Sequence, residues 1–458
     1  MPNTLTAYPM RLREEVLRYK LQEFYRNQCM TRAELEGLQA RKFRELARYA
    51  AGRSVYYREL VARHGIQIEA CVPQDFPVLT KSLFMEHFDR IVTDPRLTRS
   101  GVGHFIAESA DPNELLFNEY RAIYSSGSSG ETGYFVYSRA DWTRGMAQTF
   151  RGRRPTTLQG GRRARLAFYG IVRPHLGGVT TLAALTDSSQ VEVLMFDMNR
   201  PLTETVAQLN DFRPDFLCGY TSALTILAAK QLEGALALTP GNIRAVGESM
   251  SAADEAVLRA AFGCEVTNAY ASSEHLMMGF RIPGSGNMLL PDDDLIYEPH
   301  ENHCFVTNLF NFTTPLIRYR MGDILRRAAV RARPALPYLE IESLIGRSEQ
   351  TPVFLNEDGV EEPLSPYPIM AIHVPGIRRF QIRVRGNAAF LVRVCLDSRM
   401  HAGERAAALA SMDEHLRKVF AERRMRNVRW EIKTVEDIPA DAHSGKFKVI
   451  VPASTSDG

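Results

Sequence analysis

Between Tyr124 and Tyr134 the chain reads Tyr-Ser-Ser-Gly-Ser-Ser-Gly-Glu-Thr-Gly-Tyr, with glycines at every third position (Gly127, Gly130, Gly133) and hydroxyls at Ser125, Ser126, Ser128, Ser129 and Thr132. Glycine weakens both helix and strand, and serine competes for backbone hydrogen bonds, so the segment is not built to pack. It is built to wrap an anion, with backbone N–H groups and hydroxyls replacing the hydration of a phosphate. It is neither Gly-x-Gly-x-x-Gly nor a Walker loop, since no Gly-Lys-Ser/Thr follows. A flexible linker has the same composition. Strand-like Ala122-Ile-Tyr124 before it and Tyr134-Phe-Val-Tyr137 after it instead make it a turn between β segments.

Further along come Tyr270-Ala-Ser-Ser-Glu274, Pro315-Leu-Ile-Arg-Tyr-Arg-Met-Gly-Asp323, Gly346-Arg347-Ser-Glu349 and Ser444-Gly-Lys446, in that order. Glu274 follows a strand-like run, where a carboxylate is placed to hold Mg²⁺ against phosphates; a glutamate at a helix N-terminus is the plainer alternative. The ordered series resembles the adenylate-forming superfamily of acyl-CoA synthetases, luciferases and peptide-synthetase adenylation domains. Leu38-Gln-Ala-Arg-Lys-Phe-Arg-Glu-Leu-Ala-Arg-Tyr-Ala, Tyr56-Tyr-Arg-Glu-Leu60 and Pro77-Val-Leu-Thr-Lys81 narrow it toward the phenylacetate–CoA ligase family. The likeness runs from about residue 35 to 450.

That resemblance implies ATP, a carboxylic acid and CoA as substrates, with Mg²⁺ as cofactor. It places Ser126, Gly127, Ser128, Ser129 and Gly130 on the phosphates, and Gly247, Glu248, Asn268, Tyr270 and Ser273 around the nucleotide. Tyr270 would stack on adenine, Asp323 would accept from the ribose hydroxyls, and Arg347 would reach ribose or phosphate. Lys446 would be the catalytic cation at the α-phosphate, Glu274 the metal ligand, and Glu349 the pivot of a rotating lid. Tyr169, His175, Gly178 and Tyr220 are candidates for the acyl pocket. The chain departs from the family pattern at Ser128, Ser129 and Glu131-Thr132, where relatives carry threonines and often Pro-Lys, so a basic residue of the phosphate loop is missing.

The elements that must position these residues follow from pattern. Strand-like runs at 165–171, 191–196, 215–219, 243–246 and 265–270 alternate with helical runs at 202–212, 222–232 and 251–263. Such alternation predicts a parallel sheet covered on both faces, with ligands beyond the carboxyl ends of its strands. A Thr/Ser cap is expected before the helix at 222, and Ser251-Ala-Ala-Asp254 has capping-box form. Residues 10–62 read as amphipathic helices, with Leu12, Val16, Leu17 and Leu21 at helical spacing. Beyond Arg347 the strands at 379–384, 389–395 and 428–434 and a helix from about 402 to 424 form a smaller α+β unit. The fold expectation is therefore α/β, with a large N-terminal domain (1–345), a hinge (346–349) and a mobile α+β lid (350–458).

A chain of 458 residues exceeds the single-core limit of roughly 250–300 residues. A net charge of +3 gives no reason to invoke nucleic acid. Six scattered cysteines without Cys-x-x-Cys suit reduced thiols, and neither a signal peptide nor an apolar run of about 20 residues is visible, so a cytoplasmic enzyme with no membrane partner is expected. Arginines at 151, 153, 154, 162, 163 and 165, and at 423, 424, 426 and 429, cluster as solvated faces or as contacts for CoA phosphates or an acidic carrier. His300, His303 and Cys304 lack a fourth ligand for zinc. The acceptor stays open between CoA and an amine or carrier-protein thiol, and a catalytically lapsed binding homologue is the reading from a different class. The acid and the oligomeric state are not legible.

Overall fold

The computed structural model describes residues 20–125, 132–151, 162–186, 191–248, 250–282, 284–301, 303–345, 352–364, 369, 372, 374–397, 400–438 and 449–451. Ser126, Gly127, Ser128, Ser129, Gly130, Arg347, Glu349 and Lys446 lie outside them, as do Leu12, Val16 and Leu17.

The N-terminal helices are set by their caps. Thr31 accepts from the backbone of Glu34, whose carboxylate returns to the Thr31 N–H, so the helix Arg32–Arg53 starts on a closed capping box. Ser54 both ends that helix and caps the next, Val55–His64, which stops where Gly65 takes φ 62°. Leu46, Ala47, Ala50 and Tyr57 turn inward and join the largest hydrophobic cluster, which runs on through Phe84, Phe135, Tyr270 and Tyr319.

Strands β1 (Tyr120–Ser125) and β2 (Gly133–Ser138) pair antiparallel with Ser125 opposite Gly133, so the glycine-rich segment joins two β strands as expected. Strands β3 (Ala164–Gly170), β4 (Val191–Asp197), β5 (Phe216–Gly219), β6 (Asn242–Val246) and β7 (Glu265–Ser272) lie parallel in the order β4-β3-β5-β6-β7. The four crossovers carry helices Gly177–Ala183, Leu202–Phe212, Thr221–Leu232 and Ala252–Phe262. The last opens on the Ser251/Asp254 box and closes at Gly263, φ 63°.

The sheet is not parallel throughout. After β7 the chain doubles back as β8 (Leu276–Arg281), and β9 (Met288–Leu290) continues the antiparallel run. Strands β10 (Leu295–Pro299), β11 (Cys304–Asn308) and β12 (Tyr319–Met321) form a separate three-stranded sheet. Strands β13 (Ile324–Arg327) and β14 (Leu339–Ile345) complete the nine-stranded sheet beyond β9. The switch follows from connection length: a tight turn permits only antiparallel neighbours, whereas each parallel step needed a helix.

Past residue 352 a four-stranded sheet (Arg429–Thr434, Ala389–Leu396, Ile377–Val384, Ile450–Val451, in spatial order) packs with the helix Ala402–Glu422. Its cluster draws only on residues from Phe354 to Ile450, with Phe390 stacked on Phe420 and Trp430 at 5.0 and 5.3 Å. Among the described residues, the bonds that join it to the larger unit are polar. Glu422 pairs with Arg173 at 3.2 Å, and Arg173 pairs with Asp197 at 3.0 Å. Arg423 bonds Glu362 and the Tyr169 phenol.

Of the clustered arginines, Arg162, Arg424 and Arg426 are exposed as solvated faces with surface ion pairs, and Arg151 is not. Arg151 is buried against Asp293 at 2.5 Å and the Tyr338 hydroxyl; Arg162 pairs with Asp215, and Arg424 and Arg426 with Asp358 and Glu357. His300 and His303 stack on each other at 4.8 Å, and Cys304 is buried. Among the described residues no group of acids, histidines or cysteines is placed to hold a metal, and no helix is long and apolar enough to cross a membrane.

Candidate active site

The β1/β2 mouth, the β7/β8 turn and the loop after β3 are stitched together by short polar contacts. Ser273 Oγ donates to the Tyr124 carbonyl at 3.0 Å, and the Tyr137 hydroxyl donates to the Ser273 carbonyl at 2.7 Å. The Tyr124 N–H donates to the His175 carbonyl at 3.0 Å, while His175 Nδ1 lies 3.1 Å from the Ala122 carbonyl. A Cβ on Gly177 would stand 2.7 Å from Ser273 Oγ, so glycine is what lets that loop close on the turn. The sequence places these three segments up to 150 residues apart; the fold makes them one wall.

Glu274 sits in the three-residue turn between β7 and β8, not at a helix N-terminus. The turn is tight enough that Leu276 takes φ 57°, a conformation that costs a non-glycine residue of order 1–3 kcal/mol. Asn308 Nδ2 holds the Glu274 carbonyl at 3.4 Å. The side chain is buried, yet among the described residues none donates a hydrogen bond to its carboxylate. Its oxygens are not enclosed, so they reach solvent without a protein donor, where a cation can meet them. The residue therefore fits a Mg²⁺ ligand.

Tyr270 and Asp323 meet. The Tyr270 hydroxyl donates to Asp323 Oδ2 at 2.9 Å, joining the strand β7 to the Met321-Gly322-Asp323 turn between β12 and β13. Tyr270 is 6% exposed within the largest core cluster. Burial, with the Asp323 charge beside it, holds its phenol well above the usual range, so it stays a donor. Asp323 is half-buried, and Tyr270 is the only described side chain bonded to it.

Gly247 takes φ 76°, which only glycine adopts freely, and turns the chain after β6. The following residue, Glu248, aims both oxygens at Ser222, accepting from its N–H at 2.6 Å and its hydroxyl at 2.9 Å. This corrects the expected cap: helix Thr221–Leu232 begins after Tyr220, which offers no side-chain bond, and a glutamate from the neighbouring loop serves instead. Burial pushes the Glu248 carboxyl up to about 7. Asn268 Nδ2 donates to the Glu248 carbonyl at 3.2 Å, tying β7 to the same loop.

The acyl-pocket candidates divide. Tyr169 is 1% exposed and its hydroxyl meets Arg423; burial raises it to about 12. Tyr220 packs edge-on to Phe168 at 5.9 Å, and its phenol is raised by burial and by nearby Glu248. His175 is buried at φ 59° against Phe105, and burial lowers its pKa. Gly178 is exposed, with nothing within 4 Å of the Cβ it lacks.

One residue at the site had no role assigned from sequence. Lys81 Nζ donates to Ser125 Oγ at 2.9 Å, and a Cβ on Gly133 would lie 2.8 Å from Lys81 Cε. The signal was present in Pro77-Val-Leu-Thr-Lys81, which helped to narrow the resemblance without pointing to chemistry. Arg318 is not at the site: it pairs with Glu298 at 3.2 Å.

No family model matches the chain. Among curated proteins, Protein CapK of Staphylococcus aureus is 23% identical over 342 residues, covering 68% of this chain and 67% of CapK. Among solved structures, 2-hydroxyisobutyryl-CoA ligase in complex with 2-HIB-AMP and CoA in the thioesterification state superposes with a TM-score of 0.57 at 15% identity, covering 93% of this chain and 91% of that one. Its open conformation, with the same two ligands, gives 0.54 at 17% identity over 93% of both chains. The chain has the fold of that adenylate-forming enzyme, an α/β body with a small C-terminal α+β unit.

Proposed function

We propose that the protein activates a carboxylic acid with ATP and passes the acyl group to a thiol, in the manner of an AMP-forming acyl-CoA ligase and, more narrowly, of the phenylacetate–CoA ligase type. The observation that carries this reading is the single wall formed by the β1/β2 mouth and the Glu274 turn, with the Tyr270–Asp323 pair extending from the same strand. That wall stands beyond the carboxyl end of β7, where open α/β sheets bind ligands.

In the first step a carboxylate oxygen of the acid attacks the α-phosphorus of ATP; the bond to the bridging oxygen breaks, pyrophosphate leaves, and an acyl-adenylate remains. Mg²⁺ held by Glu274 would neutralise phosphate charge. Ser126–Gly130 and Ser273 grip the phosphates, Gly247, Glu248, Asn268 and Tyr270 shape the nucleotide site, and Asp323 accepts from the ribose. Tyr169, His175, Gly178 and Tyr220 surround the acyl group. Lys446 meets the charge that develops at the α-phosphate. In the second step a thiol sulfur, with its proton lost, attacks the acyl carbon and AMP departs. The small unit (350–458) turns about Glu349 in the hinge 346–349, carries Lys446 away and opens the thiol's path.

Structural likeness to a CoA ligase supports CoA as acceptor, and the name CapK specifies none. The second reading, transfer to an amine or carrier-protein thiol, is favoured by the serine-rich phosphate loop, which marks a divergent branch. ATP–pyrophosphate exchange with a panel of aryl and alkyl acids tests the first step: one acid should drive exchange, and Lys446→Ala should abolish it with ATP binding kept. A protein that binds ATP but exchanges with no acid, or a Lys446→Ala variant at full rate, overturns the assignment. Mass spectrometry with and without CoA then separates the acceptors. An adenylate that accumulates beside unused CoA identifies the second reading.

A further inference from the structure

The phosphate loop has a charge problem. From Tyr124 to Ser138 there is no lysine or arginine, and the one ionisable side chain inside the loop, Glu131, is acidic. The arginines flanking this stretch are engaged elsewhere: Arg121 donates to the Pro112 carbonyl at 2.9 Å and lies over Trp142, and Arg139 donates to the Asn118 carbonyl. The loop itself offers the β,γ-phosphates hydroxyls and amide N–H groups but no side-chain cation.

A cation is delivered from outside the loop. Lys81 Nζ reaches Ser125 Oγ, the last hydroxyl before the loop, and its stem runs past Gly133, the residue paired with Ser125 across the strands. Three contacts aim it. Leu79 is sewn into the strand that leads to Asp323, with its N–H on the Arg318 carbonyl at 3.1 Å and its carbonyl accepting from the Arg320 N–H at 2.9 Å. Thr80 Oγ1 accepts from the Leu83 N–H at 3.2 Å and fixes the turn. Phe84 stacks on Phe135 at 5.4 Å with the rings 6° apart, clamping the lysine's helix to β2. The absence of a Cβ at Gly133 leaves room for the lysine's stem beside the Phe135 ring: a Cβ there would displace one or the other.

We propose that Lys81 is the cation of the phosphate site, binding the β,γ-phosphates of ATP and the departing pyrophosphate in place of the basic residue that the loop lacks. The proposal rests on the adenylate-forming reading and adds a residue to it. The same segment that carries Lys81 is hydrogen-bonded to the strand before Asp323, so one displacement registers at both ends of the nucleotide.

The test uses the full chain and calorimetric titration with ATP, inorganic pyrophosphate and AMP. A charged hydrogen bond to phosphate corresponds to roughly 10–100-fold in affinity. Lys81→Met should weaken ATP and pyrophosphate by that factor and leave AMP, which has no β,γ-phosphates, within about twofold. Lys81→Arg should recover most of the loss, and Ser125→Ala, which removes an anchor but no charge, should cost less than Lys81→Met. A lysine that merely pins Ser125 would weaken ATP and AMP alike, and that result, or unchanged ATP affinity in Lys81→Met, overturns the proposal. Thermal unfolding of Lys81→Met within a few degrees of the unaltered protein, with AMP bound normally, shows that the variant is folded. If the unaltered protein binds neither ATP nor AMP, the adenylate-forming reading itself fails, and the two failures are told apart.

Discussion

Two groups of acids, buried or half-buried, lie in the large unit, and they are treated in opposite ways. Asp292, Asp293 and Asp294 follow β9, and every carboxylate oxygen of the three has a donor. Asp292 takes Arg32 at 2.6 Å and the Leu339 N–H at 3.1 Å; Asp293 takes Arg151 and Asn27; Asp294 takes Lys42 at 2.7 Å, Gln148 at 2.8 Å and Arg144 twice over. Arg144 and Lys42 hold the Asp294 carboxyl far below its ordinary range in spite of burial. Glu274 and Asp323 are the contrast, one with no described donor to its carboxylate and the other with a single phenol. Saturated acids hold the N-terminal helices to the sheet; unsaturated ones are the pair that the proposed function assigns to metal and ribose.

The largest effect that would break this contrast is on stability. Asp294→Ala leaves Arg144 and Lys42 with Glu23 as their remaining carboxylate and should cost about 3 kcal/mol in chemical denaturation. A loss under about 1 kcal/mol would show that the triad is not what fastens those helices. For Glu274→Gln the prediction reverses: stability should move by no more than about 0.5 kcal/mol. Pyrophosphate exchange should fall on the order of 100-fold, because several kcal/mol of phosphate charge stabilisation is lost with the metal. Raising Mg²⁺ should restore part of it; insensitivity to Mg²⁺ would remove Glu274 from the metal site.

Smaller effects sharpen the same line. Asp323→Ala should weaken ATP by about 1–3 kcal/mol, and Tyr270→Phe by about 0.5–1.5 kcal/mol, since it removes only the bond that orients Asp323. Equal ATP affinity in both variants by calorimetry would end the ribose assignment.

The smallest effect at neutral pH belongs to His275. It is fully buried with both ring nitrogens lacking a partner among the described residues, and burial lowers its pKa to about 3. The unfolded chain takes up that proton near 6.5, whereas the folded chain resists it to about 3. Stability from this residue is thus full above 6.5 and is lost as pH falls between those values. His275→Leu should flatten the acid limb over that range and leave ATP affinity unchanged. An identical limb in the variant would disprove the sign.

What could be read beforehand follows the range of the interactions involved. Helix Ala252–Phe262 with its box, the parallel direction of β3 to β7 and the strand pair around the glycine-rich segment are local patterns or follow from connection length, whereas the place of β4 outside β3 is not. The cap on helix Thr221–Leu232 was misplaced because Glu248 reaches it from 26 residues away. Arg151 was taken for a surface charge because its partner Asp293 is 142 residues on. The antiparallel return at Glu274 was missed because Leu276 adopts a backbone conformation that its residue type does not advertise. Lys81 stood in a recognisable motif, but its chemistry needed the position of Ser125.

The separateness of the hydrophobic clusters has a consequence for how the molecule comes apart. The C-terminal cluster shares no residue with the other three, and among the described residues the bonds between units are polar, around Arg173 with Glu422, Arg423 with Tyr169, and Glu362 with the Leu202 N–H. Polar contacts of this kind transmit little cooperativity, so a single melting temperature is a poor description of such a chain. The two tryptophans fall one to each side, Trp142 in the largest cluster and Trp430 against the C-terminal one. Their emission would report two transitions separately, and added salt, by loosening Arg173 from Glu422, would draw the two curves further apart.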